Sequence, residues 1–167
     1  SRGLGDVYKR QNIDGIYVDA TFGGGGHSKE ILNSISKKGK LFSFDCDKDV
    51  TKNFIDDRRF QFVNSNFKYL KEYLNLKGIF SVDGIIADFG ISSYQIDTPS
   101  RGFSIRFNGP LDMRMNQQNK INAFDIVNNY SERKLKLIFK TYGEISPVGK
   151  LVSLIISNRK ISPITTT

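Results

Sequence analysis

Short apolar runs that end in an acid or in glycines recur along this chain, separated by stretches with helical spacing. Residues 16–20, Ile-Tyr-Val-Asp-Ala, read as a buried strand, and the four glycines Gly23–Gly26 follow directly. Residues 27–36 place Ile31, Leu32 and Ile35 on one helical face, with Gly39 where a helix stops. A second strand, residues 40–45, ends in Asp45; a short helix is expected over 48–57, a third strand over 60–63 and a helix over 67–76. A fourth strand, residues 82–88, again ends in an acid, Asp88. Strands alternating with helices at this spacing predict βαβ units, an α/β fold with a parallel sheet and right-handed crossovers.

After Asp88 the pattern changes. Residues 89–119 are rich in Gly, Ser, Pro, Asn and charge and have no period, and a loop this long within a compact domain is normally functional or disordered. Phe103, Ile105, Phe107, Leu111, Met113 and Met115 within it argue for an ordered, packed loop. Three short helices are expected over 121–129, 131–141 and 147–159, the second capped by Ser131 and amphipathic through Leu135, Leu137 and Ile138. The expected division is a core over 12–111 and a helical subdomain over 112–167. Residues 1–11, without periodicity, are set aside as a non-native or disordered tail. The chain starts without Met and stops at Ser162-Pro-Ile-Thr-Thr-Thr167 without a closing element, which points to a piece of a longer protein.

Composition narrows the class. A hydrophobic fraction of 38% supports a packed core. Twenty-five Lys and Arg against 17 Asp and Glu give a net charge of +8, which suits a polyanionic partner such as nucleic acid; an AT-rich coding sequence is the plainer source of the same Lys. The single cysteine, Cys46, forms no disulfide within the chain and fits a reducing cytoplasm. No apolar run approaches the roughly 18 residues of a membrane span, and the first residues carry no secretory apolar region.

The glycine run carries the first chemistry. Glycines let the main chain pass close to a nucleotide, and the following helix aims its free N–H groups at the same place. A nicotinamide fingerprint, G-x-G-x-x-G, is met by Gly23 and Gly25 but has Ser28 at its third position. The acid-x-G-x-G-x-G pattern of S-adenosylmethionine enzymes is met by Asp19, Gly23 and Gly25, with Thr21 at the first glycine. Asp45, closing the second strand, is placed to accept from ribose hydroxyls, with Asp47 a weaker candidate. His27, the only histidine, is either an ordinary first-turn residue or a ligand contact.

In open parallel sheets ligands bind beyond the carboxyl ends of the strands, so the glycine run, Asp45 and Asp88 are expected at one crevice. An acceptor at the fourth strand end can orient the N–H groups of an exocyclic base amine and help its lone pair face a methyl donor. Asp88-Phe-Gly90 also matches the magnesium-binding triplet of protein kinases, but the other kinase motifs are missing from the sequence. Over 101–115 arginines alternate with apolar residues; this is either a packed structural lid or an RNA contact in which arginines hold phosphates and an aromatic stacks a flipped base.

Five segments together resemble one family. Asp19-Ala-Thr-Phe-Gly-Gly-Gly-Gly-His-Ser28, Asp88-Phe-Gly-Ile-Ser-Ser93, Arg101-Gly-Phe-Ser104, Gly109-Pro-Leu-Asp-Met-Arg-Met115 and Thr141-Tyr-Gly-Glu144 are similar to the bacterial 16S ribosomal RNA cytosine-N4 methyltransferases of the MraW type. The resemblance covers roughly residues 12–167. It implies a Rossmann-like core, here incomplete, with a helical subdomain inserted after the fourth strand. It also implies methylation of a cytidine N4 at the decoding site, with S-adenosyl-L-methionine as cofactor, the small ribosomal subunit as partner, no metal and no membrane; a homodimer is compatible with it. Carried over, Gly25, Gly26 and His27 contact the cofactor, Asp45 its ribose and Phe67 lies near the adenine. Asp88 and Gln95 line the methyl-transfer end, with Asp88 the catalytic residue that orients the amine. The chain departs from the pattern at Gly24, where the family carries Arg, at Tyr94, where it carries Pro, and at Ile145-Ser-Pro147, where it continues with an acid and a basic helix. The family's later strands lie beyond residue 167, which predicts an uncovered sheet edge. A nucleotide- or RNA-binding module without catalysis, and more distantly a nicotinamide oxidoreductase, are the competing readings.

Overall fold

A computed structural model describes residues 12–167; the tail expected over residues 1–11 lies outside them. The described chain falls into two compact units that divide after Ser92. The break precedes the expected boundary at 111/112 because residues 93–111 fold with the segment that follows them: Met113 N–H donates to the Arg101 carbonyl, and Leu111 N–H to that of Thr165.

The first unit is a four-stranded parallel sheet in the order β3-β2-β1-β4. Its strands are β1 (Ile16–Asp19), β2 (Lys40–Asp45), β3 (Phe60–Asn64) and β4 (Gly84–Ile86), joined by α1 (Gly26–Ser34), a 3-10 turn over Lys48–Asn53 and α2 (Leu70–Leu76) behind a 3-10 turn over Phe67–Tyr69. The pleat sends successive side chains to opposite faces, and over β1, β2 and β3 both faces are covered. Tyr17, Leu41 and Phe60 pack with Ile31 and Leu32 of α1 and with Ile35 at its C-cap, while Val18, Phe42, Phe44 and Val63 pack with Leu74 of α2. The three apolar residues read as a helical face are thus the face α1 buries.

Two elements are shorter than their sequence pattern. Only three residues of the expected 82–88 strand join the ladder, because the Asp83 side chain itself takes the Ile16 N–H at 2.8 Å and, past Ile86, the Asp88 N–H turns to the Thr21 hydroxyl. The helix expected over 48–57 is a 3-10 turn ending at Asn53; the Asp47 carboxylate caps it by accepting from Asp49 N–H. β4 forms one edge of the sheet among the described residues, and Ile85 on it is exposed.

The second unit holds α3 (Ser93–Asp97), a 3-10 turn over Pro99–Arg101, α4 (Ala123–Asn129), α5 (Glu132–Thr141) and α6 (Val148–Ile161). The three long helices lie where their periodicity put them. Asn122 and Asp125 form a reciprocal capping box on α4, and Ser131 caps α5, whose Leu135 is fully buried. Thr166 bridges antiparallel to Pro110, and the Asn128 side chain holds Ile164 through both its carbonyl and its N–H.

Candidate functional site

The topology places the site. β1 and β4 are neighbours although their connections leave in opposite directions across the sheet, so the switch point of the strand order lies at the carboxyl end of β1, where a ligand crevice is expected.

The glycine turn that leaves β1 is held on both sides. Gly23 N–H donates to Asp45 Oδ2 at 2.9 Å, and Asn53 Nδ2 donates to the Gly23 carbonyl at 2.9 Å. Gly23 and Gly25 have φ of 49° and 77°, the left-handed region that L side chains avoid. Gly25 is the N-cap of α1, and a Cβ on it would lie 3.1 Å from the Phe22 ring. Gly24 and Gly26 face open space. The turn therefore divides its glycines: two are required by backbone conformation, and two leave room beside the first free N–H groups of a nine-residue helix.

Beneath the turn, Asp19 is completely buried. Its carboxylate accepts from the Ser28 hydroxyl at 2.7 Å and from Thr21 N–H at 3.1 Å, and the Ser28 and Ser43 hydroxyls lie 2.8 Å apart. Burial pushes the Asp19 carboxyl upward, opposed by the hydrogen bonds from Ser28 and Thr21. Ser28 departs from a nicotinamide fingerprint for a visible reason: its hydroxyl is the donor a buried Asp19 needs. Asp19 shapes the turn from below and has no surface for a ligand.

Asp45 differs. It is partly exposed, and burial raises its carboxyl while the N–H groups of Asp47 and Gly23 oppose the rise. The N–H groups of Gly23, Asp47 and Cys46 bond to this carboxylate, whose two oxygens offer about four acceptor positions, so acceptance from a ribose hydroxyl is chemically open to it. Asp47 is buried and occupied as a cap.

At β4, Asp88 N–H donates to Thr21 Oγ1 at 2.7 Å, which ties the residue after the fourth strand to the glycine turn. The Asp88 carboxylate stays exposed, 3.6 Å from His27 Nε2. Phe67 and Phe89, both exposed, meet with ring centroids 5.5 Å apart. Within the first unit, hydrogen bonds tie the glycine turn to Asp45 and to Asp88, His27 lies beside Asp88, and Phe67 meets Phe89, the residue after Asp88. Three participants were not legible beforehand. Thr21 looked like a mere replacement for glycine, Asn53 lies 30 positions from its partner, and Phe89 was masked by the acid before it.

Gln95 belongs to the second unit. It is buried, and its Nε2 donates to the Met115 sulfur at 3.3 Å. Around it the arginines of 101–115 separate into two kinds. Arg101 is buried and donates to the Arg114 carbonyl at 2.9 Å; Arg114 forks onto Asp112 at 2.7 and 2.8 Å and reaches the Asn119 carbonyl at 2.7 Å. These two serve as structural staples. Arg106 is exposed, as are Ile105, Phe107, Met113 and Met115. The apolar side chains expected to pack this loop are therefore largely on its surface, and polar staples order it instead. Its glycines confirm the tightness: a Cβ on Gly102 would meet the Pro110 carbonyl at 2.3 Å, and one on Gly109 the Pro99 carbonyl at 2.0 Å.

A parallel 3-2-1-4 sheet with helices on both faces and a glycine turn gripped by the acid of the next strand defines a Rossmann-like methyltransferase core. The family model that matches residues 7–167, described as the MraW methylase family, shows that the chain belongs to that family. The match begins within the segment set aside as a tail.

Similar proteins carry a consistent name. The chain is 52% identical over 153 residues to the ribosomal RNA small subunit methyltransferase H of Christiangramia forsetii, covering 92% of this chain and 51% of that protein. It is 52% identical over 152 residues to the protein of that name in Phocaeicola vulgatus (91% and 50% covered) and 49% identical over 158 residues to that in Cytophaga hutchinsonii (93% and 53% covered). The chain thus spans about half the length of the curated relatives it matches.

Proposed function

We propose that this chain carries the cofactor crevice and the acceptor-orienting strand end of a methyltransferase that uses S-adenosylmethionine to methylate the N4 amine of a cytidine in 16S ribosomal RNA, at the decoding site, in the cytoplasm. The observation that carries the reading is the junction at Thr21, which joins the glycine turn, gripped by Asp45, to the Asp88 strand end. The relatives' shared name supports ribosomal RNA as the substrate.

The residues fit the cofactor by their own chemistry. Gly26 and Gly24 leave open space beside the start of α1, where free N–H groups and the helix dipole favour a carboxylate. Asp45 would hold the ribose hydroxyls and Phe67 the adenine face. When bound, the cofactor supplies an electrophilic sulfonium methyl group. At the strand end the exposed Asp88 carboxylate would accept from a cytosine N4–H, orient the amine lone pair and take up the proton that N4 sheds on methylation. His27 Nε2 lies 3.6 Å from that carboxylate. The +8 charge favours the RNA backbone.

The test is transfer of labelled methyl from S-adenosylmethionine to small ribosomal subunits by the native-length protein. Label on a cytosine N4 supports the reading, and an absence of label on any cytosine amine refutes it.

A further inference from the structure

We propose that Phe89 is a positioning residue for the cofactor, forming with Phe67 the two walls of a slot for its adenine; this rests on the cofactor reading above.

The argument begins from topology. Phe67 follows β3 by three residues and Phe89 follows β4 by three, and those strands are the two opposite edges of the sheet. Three strand spacings separate them, about 14 Å. Their rings are nevertheless in contact, with centroids 5.5 Å apart and planes inclined at 54°. Because all four strands run parallel, both residues leave from the carboxyl end. The pair therefore reaches across the ends of β2 and β1, where Asp45 and the glycine turn lie.

The order along that edge selects the ligand part. Asn64, paired with Asp45 in the ladder, donates through its side chain to the Asp45 carbonyl at 2.9 Å, and Phe67 follows three residues later. A ribose held by Asp45 carries its base toward this β3 side, under Phe67. The ring that meets Phe67 is Phe89. Both rings are exposed, 42% and 72%, so neither is needed to fill the core. Exposed aromatic faces of this kind are stacking surfaces for a base. A base inserted between two parallel rings needs a separation of about 7 Å, twice the van der Waals contact distance. At 5.5 Å and 54° the two rings touch each other, so the proposal requires the exposed side chains to rotate apart when the base enters.

The proposal is tested on the native-length protein, with S-adenosylhomocysteine binding followed by calorimetry and adenosine binding by displacement of labelled S-adenosylhomocysteine. Phe89→Ala should weaken both ligands about tenfold. Phe89→Tyr should stay within about twofold of the unsubstituted chain, and both variants should keep its circular dichroism. The loss in Phe67→Ala/Phe89→Ala should be smaller than the product of the single losses, since one wall alone stacks poorly. Unchanged adenosine binding in Phe89→Ala, or a loss confined to S-adenosylhomocysteine, overturns the assignment; loss of methyl transfer with both affinities intact would move Phe89 to the cytosine. Absence of S-adenosylhomocysteine binding by the unsubstituted native-length protein removes the cofactor reading and this proposal together.

Discussion

Gly23 N–H donates to the carboxylate of Asp45 at 2.9 Å, so the turn after the first strand is clamped by the acid that ends the second. One side chain thereby shapes the turn and presents the acceptor beside it. The consequences differ for each residue of the arrangement.

Ser28→Ala removes one of two donors to a fully buried carboxylate. An unsatisfied buried acceptor costs about 1–3 kcal/mol, more for a charged one, and urea denaturation should show a loss in that range. Ser43→Ala acts on the same network through the Ser28 hydroxyl, so the double variant should lose less than the sum.

Gly25→Ala and Gly24→Ala should separate sharply. Gly25 has φ 77° and a Cβ there meets the Phe22 ring at 3.1 Å, whereas Gly24 has open space. A left-handed non-glycine residue costs about 1–2 kcal/mol. Thermal unfolding should show that loss for Gly25→Ala and a change within about 0.5 kcal/mol for Gly24→Ala. Gly24→Arg should also fold, since nothing lies within 4 Å of a Cβ there.

Acid stability should depend on Asp57. Its carboxylate accepts from Arg59 at 2.6 Å, and the same guanidinium donates to the Ile35 carbonyl at the end of α1. The Arg59 hydrogen bonds hold the Asp57 carboxyl down from 3.8 to about 2. A depressed folded-state value means that the stabilisation is complete above pH 3.8 and fades as pH falls toward 2. Asp57→Asn should therefore be less stable than the parent at neutral pH, with the difference shrinking through that window in pH-dependent urea melts. Asp19 and Asp45, both raised by burial, oppose this trend, since their protonation on acidification favours the folded state.

Asp88→Ala should abolish methyl transfer by the native-length protein, by about a hundredfold or more, with S-adenosylmethionine affinity changed less than threefold. The exposed carboxylate contributes nothing to the core, and the link to Thr21 uses the main-chain N–H that alanine retains. Parallel assays of transfer and binding check it; equal losses in both would reassign Asp88 to the cofactor.

Much of this arrangement was legible in the residues. Ile31, Leu32 and Ile35 announced the buried face of α1, and the runs ending in Asp19, Asp45 and Asp88 announced strands that deliver acids to one edge. What escaped were contacts set by tertiary geometry. Asp83 looks like part of a strand, yet its side chain replaces a ladder bond and shortens β4. Ile105 and Phe107 look like core, yet lie on a loop ordered by Arg101 and by the Arg114–Asp112 fork. Periodicity reports which faces are apolar; it carries no record of which polar side chain closes a turn thirty residues away.

The clamp itself gives the most direct measurement. Calorimetry of S-adenosylmethionine should show saturable one-site binding to the chain and at least tenfold weaker binding to Asp45→Ala, because that variant loses both the Gly23 tether and the ribose acceptor. No heat with the unsubstituted chain, or equal affinity in Asp45→Ala, would contradict the account.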